Sequence, residues 1–344
     1  MSAKTTSARA GLILTVLGAL VIVSAVISAN VGTAHLTAGE IARVIWNHLA
    51  GAAHPTANDA IVWNLRLPRI VLAMLVGASL ATAGALMQSL FNNPMADPFV
   101  VGASSGAALG AVVVISMDVQ ATLFGLNAMC FAALLGGLGV TLLVYTLSRR
   151  AGRVPIATLL LTGIAIGGIM QAVTTLLLLQ RPGSELHEVI GWLMGSLAYR
   201  DWPHVAALLP YTIVGIGVAM AYRRDLNVLA LGEEAAHSLG VNVERTKVLL
   251  LLTASLLAAA SVAVSGIIAF VGLIVPHLMR LLVGPNHRFL LPACILGGGL
   301  ILIWADIAAR LIIPGGEIPI GIVTSVLGSG FFLYLLNRSR GKVV

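Results

Sequence analysis

Long uninterrupted apolar runs, rather than an alternation of apolar and polar positions, dominate this chain of 344 residues. Most runs approach the roughly 20 residues that a helix needs to cross a bilayer. Short segments rich in Arg, Gly and Pro separate them. The pattern predicts an all-α polytopic membrane protein with about ten transmembrane helices, at 11–30, 67–90, 98–117, 123–147, 156–179, 204–222, 247–265, 268–283, 289–309 and 318–336.

The composition supports one membrane domain over residues 1–344. The chain is 58% hydrophobic and 10% charged, with a mean hydropathy of +1.00, whereas soluble domains carry about 25% charged residues. This leaves no room for a soluble catalytic domain. Lys4 and Arg9 before the first run are also typical of a signal peptide. Because that run is long and many others follow, we interpret it as the first transmembrane helix.

The distribution of basic residues predicts the topology. With both termini in the cytoplasm, fourteen Lys and Arg residues lie inside and six outside, as the positive-inside rule requires. The clustering of the charges behind the net +7 therefore indicates a multi-pass membrane protein in contact with lipid, and not a nucleic-acid-binding protein. We expect it in a bacterial or archaeal inner membrane. Cys130 and Cys294 lie within apolar runs, which favours free buried thiols over a disulfide.

Three segments are too polar to span the membrane. Residues 32–66 form an outer loop. Residues 180–203 form a second, periplasmic loop in which the amphipathic stretch 185–197 predicts a short helix. Residues 223–246 form the largest inner segment, polar and helical in pattern, with a stop at Gly240.

Small residues recur in two patterns. Ser79, Ala81, Gly84 and Pro94 return 182 positions later as Ser261, Ala263, Gly266 and Pro276, which indicates either an inverted repeat or shared packing. Gly102, Gly106 and Gly110 form a ladder that predicts close helix packing. The same segment matches the G-x-S-x-G pattern of serine hydrolases at Ser104. No histidine lies in that run, so packing is the better interpretation.

Charged residues near predicted outer span ends are candidate sites. Arg66 and Arg69 bracket Pro68, and Asp306 lies one helical turn before Arg310. Ionisable groups at membrane depth are costly, and they are usually paired or functional. The alternatives are headgroup anchoring and intrahelical pairing, or an exposed docking surface for an acidic partner.

The sequence contains no local metal motif, because H-E-x-x-H and Cys/His spacings are both missing. His187, in the outer 180–203 segment, is a candidate substrate contact. The G-x-x-x-x-G-K-[ST] phosphate loop is also missing. If transport uses ATP, the ATPase is therefore another chain, and we expect no catalytic residue, metal or cofactor here.

At WNLRLPR, residues 63–69, the sequence resembles the FecCD-type permeases that import ferric siderophores, haem and cobalamin. The resemblance continues through most of the chain, in GALMQ at 84–88, NPMADP at 93–98, GASSGA at 102–107, WLMGSL at 192–197, ALGE at 230–233, FVGLIVPH at 270–277, AD at 305–306, AR at 309–310 and EIPIG at 317–321.

The resemblance implies a homodimer around a central pathway. It also implies two ATP-binding cassette subunits that carry ATP and Mg, and a periplasmic or lipid-anchored substrate-binding protein. Residues matching the family's binding-protein docking arginines are Arg66, Arg69 and Arg310. Residues in the ATPase-coupling segment are Leu226, Leu231, Gly232, Glu233, Glu234, Ala235, Leu239 and Gly240.

The resemblance also assigns an inner gate and a pathway. The gate residues are Asn93, Met95, Ile156 and Ala157, although Ile156 departs from the small hydroxyl residue common there. The fifth span with Gln171, the 185–197 helix with His187 and the tenth span would line the pathway.

The expected function is ATP-driven import of a ferric siderophore or similar iron chelate, with cobalamin or haem as alternatives. A secondary transporter and an intramembrane hydrolase are more distant alternatives. The former usually has paired intramembrane carboxylates, whereas Asp97, Asp118 and Asp306 lie near span ends.

Overall fold

The structure is a computed structural model that describes residues 3–32, 34, 36–52, 56–119, 121–123, 126–149, 154–180, 183–313 and 316–340. In these ranges the helices are α1 (Ala3–Asn30), α2 (Ala38–Leu49), α3 (Ala57–Asp59), α4 (Leu67–Leu90), α5 (Ala103–Ser116), α6 (Ala128–Ser148), α7 (Ile156–Leu179), α8 (Gly183–Leu193), α9 (Trp202–Ala221), α10 (Arg223–Leu229), α11 (Glu233–Ser238), α12 (Val243–Ser265), α13 (Val271–Val283), α14 (His287–Leu311) and α15 (Ile320–Arg340).

The helices match the apolar runs. In the described ranges, seven helices are long and apolar enough to cross a membrane, and α5, α13 and α15 contain shorter apolar stretches. α4 and α7 have the predicted bounds, whereas α1 begins earlier, at Ala3. The 98–117 prediction begins too early, because Pro98–Val101 form a 3-10 helix and Gly102 adopts a φ of +89°, which suits a residue without Cβ.

Short irregular elements connect the long helices. A π-helical segment, Ala60–Arg66, leads directly into α4, with Pro68 in its first turn. Two two-residue strands, Thr122–Leu123 and Leu126–Asn127, pair antiparallel before α6. The all-α prediction is therefore correct apart from this one small strand pair in the described chain.

The centre of the bundle is α4, which packs against α9, α12, α13 and α14. Small residues permit this approach, because a Cβ added at Gly84 would lie 1.8 Å from the carbonyl oxygen of Gly272. One added at Gly106 would lie 2.3 Å from that of Gly136. The packing interpretation of the glycine ladder is confirmed. Ser104 lies in the first turn of α5 after a 3-10 helix, so the strand–turn–helix elbow of a hydrolase is not formed.

Burial separates central from peripheral helices. Most positions in the apolar windows of α4, α12 and α14 are buried, whereas most of those of α1, α7 and α9 are not. On α7 these exposed positions include Leu161, Ile164 and Leu176. Apolar surface of this extent belongs against lipid or another protein.

The proposed repeat does not hold at the predicted alignment. Gly84 lies inside α4, whereas Gly266 ends α12 with a φ of +70°. Pro94 lies in a turn after α4, whereas Pro276 lies inside α13. The matched positions therefore have different local structures, so this alignment does not support the repeat, and the inverted repeat stays a prediction.

Candidate functional site

Five charged residues, which we call the arginine cluster, join α1, α4, α14 and the loop before α15. They are Arg66, Arg69, Asp306, Arg310 and Glu317. Arg69 is central, because its guanidinium lies 2.8 Å from the carboxylate of Asp306 and 2.9 Å from that of Glu317. Asp306 is 1% exposed, so this is a buried ion pair.

Arg310 shares Asp306 with Arg69, at 3.0 Å. It also donates to the Ser28 hydroxyl at 2.7 Å and to the Val31 carbonyl at 2.8 Å. The prediction of an exposed Arg310 is therefore wrong, since its side chain is 9% exposed and intrahelical pairing is present. The end of α1 covers it, which an isolated helix pattern does not reveal.

Arg66 has no carboxylate partner among the contacts described. It donates to the carbonyl oxygens of Ala29 at 2.6 Å and Ala34 at 2.5 Å. It is 8% exposed, so headgroup anchoring by a snorkelling side chain is the wrong interpretation. The cluster contains three guanidinium groups and two carboxylates, so it carries an excess of one positive charge.

The predicted coupling segment folds as two short helices, α10 and α11. Leu229, Ala236 and Val243 form a small core of their own, and Leu226 is fully buried against the bundle. Gly232, with a φ of +107°, turns the chain between the helices.

The other face of this segment is open. Leu231 is 69% and Leu239 is 64% exposed, and Glu234 and Gly240 are exposed beside them. Glu233 is also exposed and pairs with Lys247 of α12 at 2.6 Å, while Ala235 is half-buried. The segment thus presents two leucines and two carboxylates on a fixed scaffold.

The predicted gate residues Ile156 and Met95 line two different pockets. Ile156 lines an apolar pocket with Phe91 and Tyr145, and Met95 lines another with His277 and Phe331. Asn93 and Ala157 are exposed. Gate and coupling roles stay predictions.

Of the two predicted pathway residues, the structure describes the side chain of only one. Gln171 is exposed on α7. The side chain of His187 lies outside the described residues, although its backbone belongs to α8. Within the described chain, no group of three His, Cys, Asp or Glu residues is placed to hold a metal ion.

Asp97 follows the predicted gate residues Asn93 and Met95 in sequence. Its Oδ1 accepts from the Phe99 amide at 2.8 Å and caps the 3-10 helix. Burial raises the pKa of Asp97 to about 6.

A second polar cluster, the His287 network, was not predicted. It comprises Gln88, Ser89, Asn227, Arg280 and His287. His287 begins α14 and is 4% exposed, with Ser89 at 2.7 Å and Asn227 at 2.8 Å. The only sequence signal is polar residues at the edges of apolar runs, which does not identify partners.

Comparison with known proteins gives the family. Residues 20–338 match the model of the FecCD transport family. The chain belongs to the FecCD transport family.

Relatives support this membership over most of their length. The chain is 49% identical over 283 residues to the cobalamin import system permease protein BtuC of Halobacterium salinarum, covering 82% of this chain and 75% of that protein. It is 41% identical over 330 residues to the hemin transport system permease protein HmuU of Yersinia pestis, covering 93% and 94%.

A solved structure shares the fold. It shows an inward-facing conformation of an ABC transporter described as being of the metal-chelate type, with a TM-score of 0.83 and 31% identity, and covers 95% of this chain and 99% of that one. This FecCD-family chain is therefore a multi-pass permease subunit of an ABC importer.

Proposed function

We propose that this permease imports a metal chelate across the inner membrane as a homodimer, powered by two separate ATP-binding subunits and supplied by a substrate-binding protein. Both termini lie in the cytoplasm in this proposal. The chain itself makes and breaks no covalent bond. The observation that carries the proposal is the α10–α11 segment, which holds an exposed apolar and acidic surface on a chain that contains no ATP-binding motif.

The physical basis is the rigidity of that segment. Leu226 is fully buried and Leu229 nearly so, which fixes α10 to the bundle, while Leu231 and Leu239 project outward. Exposed leucines on a short, anchored helix pair suit a groove on another protein. A rigid-body movement of that partner would reach the membrane helices through α10.

The exposed apolar faces of two peripheral helices support the proposed homodimer. α7 and α15 expose leucine and valine side chains that a single chain does not cover, including Leu161 and Leu176 on α7 and Val326 and Leu333 on α15. Pairing of two copies along such faces would bury this surface.

The arginine cluster supports an acidic partner at the outer end. Glu317 is 41% exposed and neutralises Arg69 at the rim, and the cluster retains one unbalanced positive charge. A carboxylate of a docked binding protein would balance that charge. The unbalanced charge lies at Arg66, which has no carboxylate partner among the described contacts, and not at Arg69, which contacts two carboxylates.

Cobalamin is the first substrate candidate, because the relative at 49% identity is a cobalamin import permease. The second candidate is an iron chelate, either the ferric siderophore expected from the sequence or haem. The hemin permease aligns over more of the chain, at 93%.

The coupling proposal is tested with two equally exposed leucines. Leu231→Glu places a charge on the proposed ATPase surface, and Leu49→Glu places one on α2, where Leu49 is 74% exposed. We expect Leu231→Glu to reduce co-purification of the ATP-binding subunit at least roughly tenfold, as for loss of an interface hot spot. Leu49→Glu should leave it unchanged. Equal retention in both variants would contradict the proposal.

Uptake of labelled cobalamin, haem and ferric siderophores in a deletion strain, with and without the restored gene, tests the substrate. Loss and rescue of cobalamin uptake supports the first candidate. Loss and rescue of only an iron chelate supports the second. No change with any chelate would contradict the metal-chelate proposal.

A further inference from the structure

The His287 network joins α10 to α14 and α4 through side-chain hydrogen bonds, and Gln88, next to Ser89 on α4, bonds to α13. Asn227, in the middle of α10, accepts from the backbone amide of His287 at 2.9 Å and contacts the ring Nδ1 at 2.8 Å. Its own amide group donates to Asn286 at 3.1 Å. Asn286 caps α14, so one α10 side chain holds the whole N-terminal turn of α14.

The connection continues from α14 to α4. The other ring nitrogen of His287, Nε2, lies 2.7 Å from the Ser89 hydroxyl. Ser89 is in the last turn of α4, and 198 residues separate it from His287 in sequence. Both ring nitrogens therefore have a partner, each on a different helix.

Gln88, the neighbour of Ser89, extends the network to α13. Its amide nitrogen donates to the Leu273 carbonyl at 2.9 Å, and its oxygen accepts from Arg280 at 3.0 Å. The backbone carbonyl of Gln88 also accepts from the amide of Asn93 at 3.1 Å. The turn that begins the proposed gate loop is thus built on a residue of the network.

These bonds differ physically from the other contacts of α10. Leu226 and Leu229 hold α10 by apolar burial, which is non-directional. Hydrogen bonds are directional, and breaking one at a buried site leaves a polar group unsatisfied. The bonds of Asn227 and His287 therefore add a directional link from α10 to α14 and α4.

We propose that Asn227 and His287 are positioning residues that transmit movement of the coupling helix α10 to the inner ends of α4 and α14. This inference rests on the proposed function, since α10 moves only if a partner ATPase drives it. Neither residue touches substrate or ATP in this proposal.

The test uses a double variant that removes the bonds but preserves volume, Asn227→Leu with His287→Phe. Replacing both partners by apolar groups costs little stability, whereas removing one leaves the other unsatisfied. The matched control is Ser79→Ala with Thr212→Val. It removes another buried side-chain bond between helices, at 2.9 Å between α4 and α9, and leaves every bond of the His287 network in place.

Both variants are purified as the full complex, reconstituted in liposomes, and assayed for ATP hydrolysis and chelate uptake together. We expect the Asn227/His287 variant to retain ATPase activity while moving roughly tenfold less substrate per ATP hydrolysed. The control should keep the wild-type ratio. A parallel fall of both activities, or no change in the ratio, would overturn the proposal.

A second readout does not depend on transport rates. Hydrogen exchange over residues 89–97 should respond to ATP in the wild-type complex and lose that response in the Asn227/His287 variant. A retained response would contradict the link. If the wild-type chain recruits no ATP-binding subunit at all, the proposed function fails before the variants are compared.

Discussion

The two ends of α4 and α14 are held together by different chemistry. At one end the arginine cluster contains an ion pair shared by two arginines on one buried aspartate. At the other end the His287 network consists mainly of uncharged hydrogen-bonding groups, with Arg280 as its one charged member. Both clusters link residues more than 190 positions apart in sequence.

The difference concerns what each cluster loses when one member is removed. A buried charge without its partner is far more costly than an unpaired neutral group. The ionic end should therefore be the more sensitive to substitution, and the neutral end should tolerate rearrangement. That contrast suits an anchor at the end with the arginine cluster and a movable link at the end with the His287 network.

The largest expected effect is at Asp306. Asp306→Asn removes the carboxylate shared by Arg69 and Arg310 and leaves buried positive charge uncompensated. We expect a loss of about 3–5 kcal/mol in the free energy of unfolding, measured by denaturation in detergent. The control Asp201→Asn affects a 54% exposed aspartate and should cost about 1 kcal/mol or less. Equal losses in the free energy of unfolding for the two variants would contradict the role of Asp306 as an anchor.

An intermediate effect is expected at His287. His287→Ala leaves Ser89 and Asn227 without a shared partner, which should cost about 1–3 kcal/mol in the same assay. His237→Ala, at an exposed position of α11, is the control and should change stability little. A loss as large as that of Asp306→Asn would erase the contrast between the two ends.

The smallest effect is expected at Glu317. Because this side chain is 41% exposed, Glu317→Gln should cost about 0–1 kcal/mol. The wild-type advantage should shrink further at about 1 M salt, where screening acts over roughly 3 Å. Measuring both proteins at low and high salt checks this. A large loss that salt does not alter would show that Glu317 belongs to the buried part of the anchor.

The apolar pattern alone located the helices well. α4 and α7 start and end where their runs do, because the length of an apolar run is a local property that the bilayer thickness limits. The errors lie at the ends, as at α5, where Gly102 and the 3-10 helix before it delay the start. The polar segment 223–246 was also located from local polarity, since α10 and α11 fall within it.

The candidate sites were only half predictable. The sequence identified Arg66, Arg69 and Arg310 as unusual, but it did not show that they are buried and internally bonded. It contained no signal for the His287 network, because a serine, an asparagine and a histidine in separate segments are unremarkable one by one. The role of each residue depends on the partner that packing places beside it.

What the sequence determined by itself is therefore the membrane class, the family, the helix positions and the polar segment 223–246, all of which follow from local composition and motif order. Only the tertiary structure decided that Asp306 serves two arginines and that His287 connects α10 to α4. The physical reason is that hydrogen bonds and ion pairs act over a few ångströms in space. Arg69 and Asp306 are 237 residues apart along the chain, and only folding brings them within 2.8 Å.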